Sequence, residues 1–363
     1  MSGGPRPEQG SLAPNPAGAE LGIGAKSRRQ TPKPSELRRV ARATFCLAAI
    51  VAALWLLFYA LWLRFPEITP GAVRLYDAKL QAVQKPELFV AGAKNKVLVV
   101  GHSYTMAGLK PVEFDRFSAG ESSTFNLGLP LTIFGRRVYS LTETLGMLGA
   151  AGNTPTHVLV TWGEPWPSFA GPTNNSVWTW VTPKFNSGDV VQRMFPFRQI
   201  GRDGTIFLLR SLSRGGPAAF AKSCNAELQS AMDSRGYFFI RSDSIYPNDE
   251  LPDNFSLRTD SQLRSMSRDV PAWRRYAETL RESKVASKVK LFLVPNYYRE
   301  ASCAPPATND ELRAALHECG VEVIGPDYWR YPNRMFCDAA HLNPKGADVY
   351  TRDLWNLVKD NLK

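Results

Sequence analysis

The sequence has few of the residues that carry redox or metal chemistry. Five cysteines and four histidines are spread over 363 positions. No CxxC pair, HExxH segment or His-rich cluster occurs among them. A disulfide-stapled scaffold is thereby excluded, and no metal is expected. Walker and dinucleotide glycine patterns are missing too, so no nucleotide cofactor is implied. A second apolar stretch long enough to cross a bilayer is also lacking, which excludes a polytopic transporter. Acidic residues are outnumbered, 33 against 44 Lys+Arg, for a formal net charge of +11. Yet no basic stripe interleaved with aromatics is present, and nucleic acid is not an expected partner. What the chain does have is apolar mass. With 44% hydrophobic and 11% aromatic residues, it can bury the core of one moderate domain with accessory segments.

The one long apolar run is Ala43–Leu63, 21 residues without a charge. At ~1.5 Å per residue it spans roughly 31 Å, matching a hydrocarbon core of ~30 Å. Trp55, Tyr59 and Trp62 lie toward its far end, where aromatic rings favour the interface. The run lacks a small-residue cleavage pattern in the LWLRFPE that ends it, which predicts a permanent single-pass anchor in the lipid bilayer. Residues 1–42 hold eight basic and three acidic side chains. The positive-inside rule therefore predicts a cytoplasmic N-terminus and a periplasmic or otherwise extracytoplasmic C-terminal domain on an inner membrane. Six prolines, six glycines and no aromatic residue in 1–42 predict a disordered tail. Residues 64–93 are expected to form a stem, helical through Val73, Leu75, Leu80 and Val83.

From 94 to 363 the pattern is short apolar runs alternating with amphipathic segments. The runs are Val97–Val100, Thr124–Leu127, Val158–Trp162, Lys290–Val294 and Val321–Ile324. Helix candidates are Phe134–Leu148, Val270–Ser283, Asn309–Cys319 and Pro344–Asn361, the last opened by an Asn-Pro cap. This alternation predicts an α/β fold, a three-layer open parallel sheet flanked by helices and preceded by the transmembrane helix. An insertion at about 164–269 interrupts it and is expected either to carry loops that shape a binding site or simply to cover the sheet. Its Trp166, Phe169, Trp178 and Trp180 are candidates for stacking on sugar rings or for loop packing.

Chemistry concentrates at two places. Ser103 follows the first strand directly in VLVVGHSYTMAG, at the strand end where open α/β sheets hold ligands. Gly101 permits a sharp turn there. The segment lacks the final glycine of the G-x-S-x-G elbow, so an α/β-hydrolase elbow is not matched. Near the other end, Asp338 and His341 stand three residues apart before the last helix. That spacing lets the carboxylate fix one imidazole nitrogen and leaves the other to take a proton from a hydroxyl.

Together GHS (Gly101–Ser103), FNLGLP (Phe125–Pro130) and DAAH (Asp338–His341), with HLNPKGADVYTRDLW after it, resemble the SGNH (GDSL-like) hydrolase superfamily. More narrowly, VVGHSYTMAGLKPVEFD, HVLVTWGEPW and DAAHLNPKGA resemble its membrane-anchored branch associated with O-acetylation of extracytoplasmic polysaccharides, the alginate O-acetyltransferase proteins among them. The resemblance covers about 96–357 and implies Ser103 as nucleophile, His341 as general base and Asp338 as its orienting partner. It also implies an oxyanion hole from the backbone N–H groups of Ser103 and Gly128. The block that supplies an asparagine donor in the hydrolases here reads Trp162-Gly163-Glu164-Pro165. A carboxylate at Glu164 cannot donate, which leaves Asn126 and the Trp162 indole as candidate donors, with Trp162, Glu164 and Trp166 expected along the substrate site. The implied function is an O-acyltransferase or esterase acting on a polysaccharide, with a membrane partner presenting the acetyl group in the transferase case. The alternative is a degenerate domain that binds glycan or scaffolds a synthesis or export complex. Outside the cytoplasm Cys224, Cys303, Cys319 and Cys337 could form up to two disulfides, in any of three pairings.

Overall fold

The computed structural model describes residues 34–68, 71–129, 141–161, 203–239, 246–258, 278, 289–302 and 310–362. The chain divides into two units, Met1–Leu54 and Trp55–Lys363.

The first long element, α1, runs Pro34–Arg64. It begins nine residues before the charge-free run, so part of the expected tail is helical: Glu36 sits in its first turn, where an acid complements the helix dipole. The helix is long and apolar enough to span a membrane, and its apolar window is not buried against protein.

In the second unit, α2 (Gly71–Val83) replaces the expected stem. It is no spacer. Val73, Leu75, Tyr76, Lys79 and Val83 are buried, and Tyr76 and Val83 belong to the main core. The folded domain therefore includes α2 rather than starting at residue 94, because helical spacing in the sequence gave this segment a face that the sheet covers.

The strands are β1 (Asn95–Val100), β2 (Ser122–Asn126), β3 (His157–Thr161), β4 (Lys290–Val294), β5 (Asn296–Arg299), β6 (Val321–Val323) and β7 (Tyr328–Tyr331). Five of them form one parallel sheet in the order β2-β1-β3-β4-β6. Alternate side chains feed two cores, as strand pleating requires. Leu98, Val100, Val158, Val160 and Leu293 face one; Val97, Val99, Leu159, Phe292 and Val294 face the other. The first core is completed by α2, α5 (Leu141–Ala150) and α8 (Asp310–Glu318) through Val83, Leu145 and Leu316. The second takes Phe114 from α4 (Pro111–Phe117) and Tyr350, Leu354 and Val358 from α9 (Pro344–Val358). Helices thus flank both faces of the sheet.

β5 and β7, which the apolar pattern did not predict, pair in parallel as a separate two-stranded sheet. Their NYYR and YWRY sequences alternate too weakly to read as strands. Within the expected insertion, a helix at 203–212, here α6, precedes α7 (Pro217–Asp233). Of the expected helix Val270–Ser283 only Glu278 is described, and it is helical. Cys224, Cys319 and Cys337 are free thiols, so no disulfide that the four cysteines could have formed joins any of these three.

Candidate functional site

The order β2-β1-β3-β4-β6 reverses direction at β1, whose neighbours β2 and β3 lie on either side. In an open parallel sheet that switch point leaves a crevice at the strand ends. Ser103 stands there. Gly101 and His102 separate it from β1, and it opens the short helix α3 (Ser103–Gly108). The need for Gly101 is steric rather than conformational: a Cβ there would fall 2.0 Å from Thr105 Oγ1 and 2.3 Å from Thr161 Oγ1. Those two hydroxyls bond each other at 2.7 Å and tie α3 to β3.

Asp338 and His341 are carried by a small loop that closes on itself. The N–H of Cys337 donates to His341 O at 2.9 Å, and Phe336 bridges Leu342 in antiparallel fashion. Behind it α9 starts cleanly, since Asn343 Oδ1 accepts from the N–H of Gly346 at 2.9 Å and Pro344 needs no donor. α9 also ties this end of the chain to the serine: Thr351 Oγ1 accepts from the N–H of Lys110, just beyond α3, at 3.0 Å. The Lys110 ammonium meets Asp348 at 2.7 Å.

These supports bring three side chains into one line. Ser103 Oγ lies 2.9 Å from His341 Nε2. His341 Nδ1 lies 2.9 Å from Asp338 Oδ2 and 3.1 Å from Oδ1. Asp338 Oδ1 also accepts the backbone N–H groups of Ala340 at 2.8 Å and His341 at 2.7 Å. Burial alone would raise the Asp338 pKa; the hydrogen bond and charge of His341 and those two N–H groups outweigh it, and the carboxyl is held below its ordinary value. An ionised carboxylate can only accept, so Nδ1 carries the imidazole proton and Nε2 accepts from the serine hydroxyl. Such a relay can deprotonate a hydroxyl as it attacks an electrophile.

The expected oxyanion donors are placed less favourably, and two of them need correction. Asn126 is fully buried, and its Nδ2 donates to Thr105 O at 2.8 Å and Leu109 O at 2.9 Å, with Met106 O at 3.4 Å. The Gly128 N–H donates to Asn126 Oδ1 at 2.8 Å. Asn126 is thus a strut between β2 and α3, and the Gly128 N–H is committed to it. Gly128 is still required, because a Cβ there would meet the Met106 backbone nitrogen at 2.3 Å. The Ser103 N–H remains in the first turn of α3, where donors lack intrahelical acceptors; Met106 is the first to find one, at His102 O, 3.0 Å away. Trp162, Glu164 and Trp166 lie outside the described residues, as do Phe169, Trp178, Trp180 and Cys303.

Several residues at the site carry no motif. Tyr104 sets its ring 5.7 Å from the His341 ring and 5.4 Å from Tyr298. Its carbonyl accepts from the hydroxyl of buried Tyr297 at 2.8 Å. Arg299, buried on β5, donates Nε–H to Ala339 O at 3.0 Å, inside the loop that holds Asp338 and His341. Lys79, fully buried on α2, donates to Gly128 O at 2.6 Å, and burial pushes its pKa well below the usual lysine value. The available signal for the tyrosines and Arg299 was the Asn-Tyr-Tyr-Arg run one residue after β4, since polar and aromatic residues past that strand end stand close to the crevice.

No family model, curated protein or solved structure matches this chain.

Proposed function

We propose that this chain is a membrane-anchored SGNH-like O-acyltransferase or esterase acting on an extracytoplasmic polysaccharide. The observation that carries the chemistry is the continuous hydrogen-bonded line from Ser103 Oγ through His341 to Asp338, with both links at 2.9 Å. Its place at the switch point of a parallel sheet supports the same reading. The polysaccharide and the acyl group rest on the sequence resemblance alone. The cytoplasmic N-terminus and the external domain rest on the eight basic residues ahead of the apolar run.

In this mechanism Ser103 Oγ attacks the carbonyl carbon of an acyl donor while its proton passes to His341 Nε2. The tetrahedral oxyanion forms beside the Ser103 N–H, and Asp338 stabilises the imidazolium. Collapse breaks the bond to the leaving oxygen, which takes the proton from Nε2, and leaves an ester on Ser103. A sugar hydroxyl or a water then gives its proton to Nε2 and attacks that ester. The acyl group moves to the acceptor, and Ser103 recovers its proton. With a sugar acceptor the protein is a transferase, supplied by a membrane partner that presents the acyl group; with water it is an esterase.

One observation favours a second reading, a non-catalytic domain that binds glycan or scaffolds an export complex. Asn126 and Gly128 spend their donors inside the fold, and loss of one oxyanion donor typically costs ~10²–10³ in rate. The two readings separate on full-length protein in detergent offered an aryl acetate. Acyl-ester turnover that disappears in Ser103→Ala supports the enzyme; equal rates in wild type and variant leave only the binding role.

A further inference from the structure

Exposed large apolar side chains are sparse outside α1 among the described residues. Val90, Val112 and Leu257 stand singly. The exception is α6, where Ile206, Leu209 and Leu212 are 41%, 62% and 78% exposed. Their i, i+3, i+6 spacing sets them along one side of the helix. The other side is already used: Phe207 and Ser211 are buried, and Phe207 packs in a small core with Ile68 and Phe220. A helix apolar on both sides is not built for water on one of them.

Its neighbours say what the second side meets. The Phe207 ring lies tilted, 5.5 Å from that of Phe65, and Leu61 and Phe65 pack on the same small core. Leu61 belongs to the last turn of α1, and Phe65 follows directly on Arg64, the first charge after the apolar run. If α1 spans a bilayer, these residues stand at its polar boundary, and a helix fastened to them lies at headgroup depth.

We propose that the Ile206–Leu209–Leu212 stripe of α6 rests in the phospholipid surface from which α1 emerges, as a second membrane contact. This rests on α1 being the anchor. An amphipathic helix lying in the interface buries its apolar face in the headgroup–acyl boundary. Two points of attachment restrict how the domain tilts over the membrane, where one helix alone would leave it free to swing.

The test is photo-crosslinking of the full chain, reconstituted in phosphatidylcholine–phosphatidylglycerol vesicles containing a phospholipid with a diazirine in its acyl chain, read by peptide mass spectrometry. Lipid adducts are expected on α1 and on the peptide carrying α6, the latter at least about five-fold above peptides carrying Val112 or Leu257, whose single side chains have no reason to enter lipid. The triple variant Ile206→Ser, Leu209→Ser, Leu212→Ser should lose the α6 adducts and keep those on α1. Adducts on α1 with α6 at the level of Val112 overturn the proposal while the anchor stands. Failure of α1 to label overturns both.

Discussion

On the enzyme reading proposed above, replacing Asp338 with asparagine should leave the loop intact and stop acyl-ester turnover. Asp338 Oδ1 accepts two backbone N–H groups, from Ala340 at 2.8 Å and His341 at 2.7 Å, while Oδ2 takes Nδ1–H at 2.9 Å. An asparagine must put its oxygen toward the two N–H groups, since the opposite flip would aim an NH₂ at both. Its amide nitrogen then faces His341 Nδ1 and donates to it. That forces the imidazole proton onto Nε2, which can no longer accept from Ser103. A tautomer reversed in this way in a Ser-His-Asp relay costs roughly 10⁴-fold in kcat. Stability should fall by about 1–3 kcal/mol, as three charge-assisted hydrogen bonds become neutral ones without any donor being stranded. Asp338→Ala, which also strands both N–H groups, should lose more. The assay is kcat/KM for aryl acetate hydrolysis beside urea unfolding of the same three proteins. Turnover by the Asp338→Asn variant within about ten-fold of wild type would refute the reasoning and reduce Asp338 to a turn residue.

Two further perturbations test the frame rather than the relay. His157, buried at the start of β3, has its pKa lowered to about 4, by burial first and by the Lys290 charge second. Between its unfolded pKa of ~6.5 and that folded value only the unfolded chain takes the proton, so stability should fall with acidification across this window, by about 3 kcal/mol in all. His157→Phe, which can keep the stacking on Phe292, should flatten the pH dependence of the unfolding free energy there; an unchanged slope would contradict the assignment. Gly128→Ala drives a Cβ to 2.3 Å from the Met106 backbone nitrogen. It should cost about 1–3 kcal/mol in thermal unfolding and, by displacing α3, lower turnover as well; a silent substitution would mean that the β2–α3 approach is loose.

The sheet and the relay were legible for the same reason: both are written in short local patterns. Apolar runs of four or five residues bounded by Gly, Pro or Asn mark strands buried on both faces, and all five expected runs became strands of one parallel sheet. Ser103 and His341 lie 238 positions apart, but each carries its own strand-end or cap context. β5 and β7 escaped because their partner is each other, outside the main sheet, so no continuous apolar run announces them. The two oxyanion assignments failed differently. A motif says which residue types sit near a site, whereas the direction of the Asn126 amide is set by the carbonyls at the end of α3, Thr105 O and Leu109 O, to which it donates.

The buried basic side chains show why the remainder of the site could not be read in advance. In the sequence Lys79 is an ordinary polar position on an amphipathic helix, and Arg299 an ordinary charge after a strand. Each is buried by elements distant in the chain, and each points at one carbonyl: Gly128 O, 49 residues away, and Ala339 O, 40 residues away. A buried donor left without an acceptor is costly, so neither side chain can withdraw from its carbonyl without exposing that cost. Lys79 therefore holds the glycine block beside α3, and Arg299 holds the loop of Asp338 and His341. The serine and the imidazole reach 2.9 Å from opposite ends of the chain because the loops on either side of them are pinned from beneath. That pinning depends on packing among α2, β5 and the sheet, a property of the folded whole that no window of sequence contains.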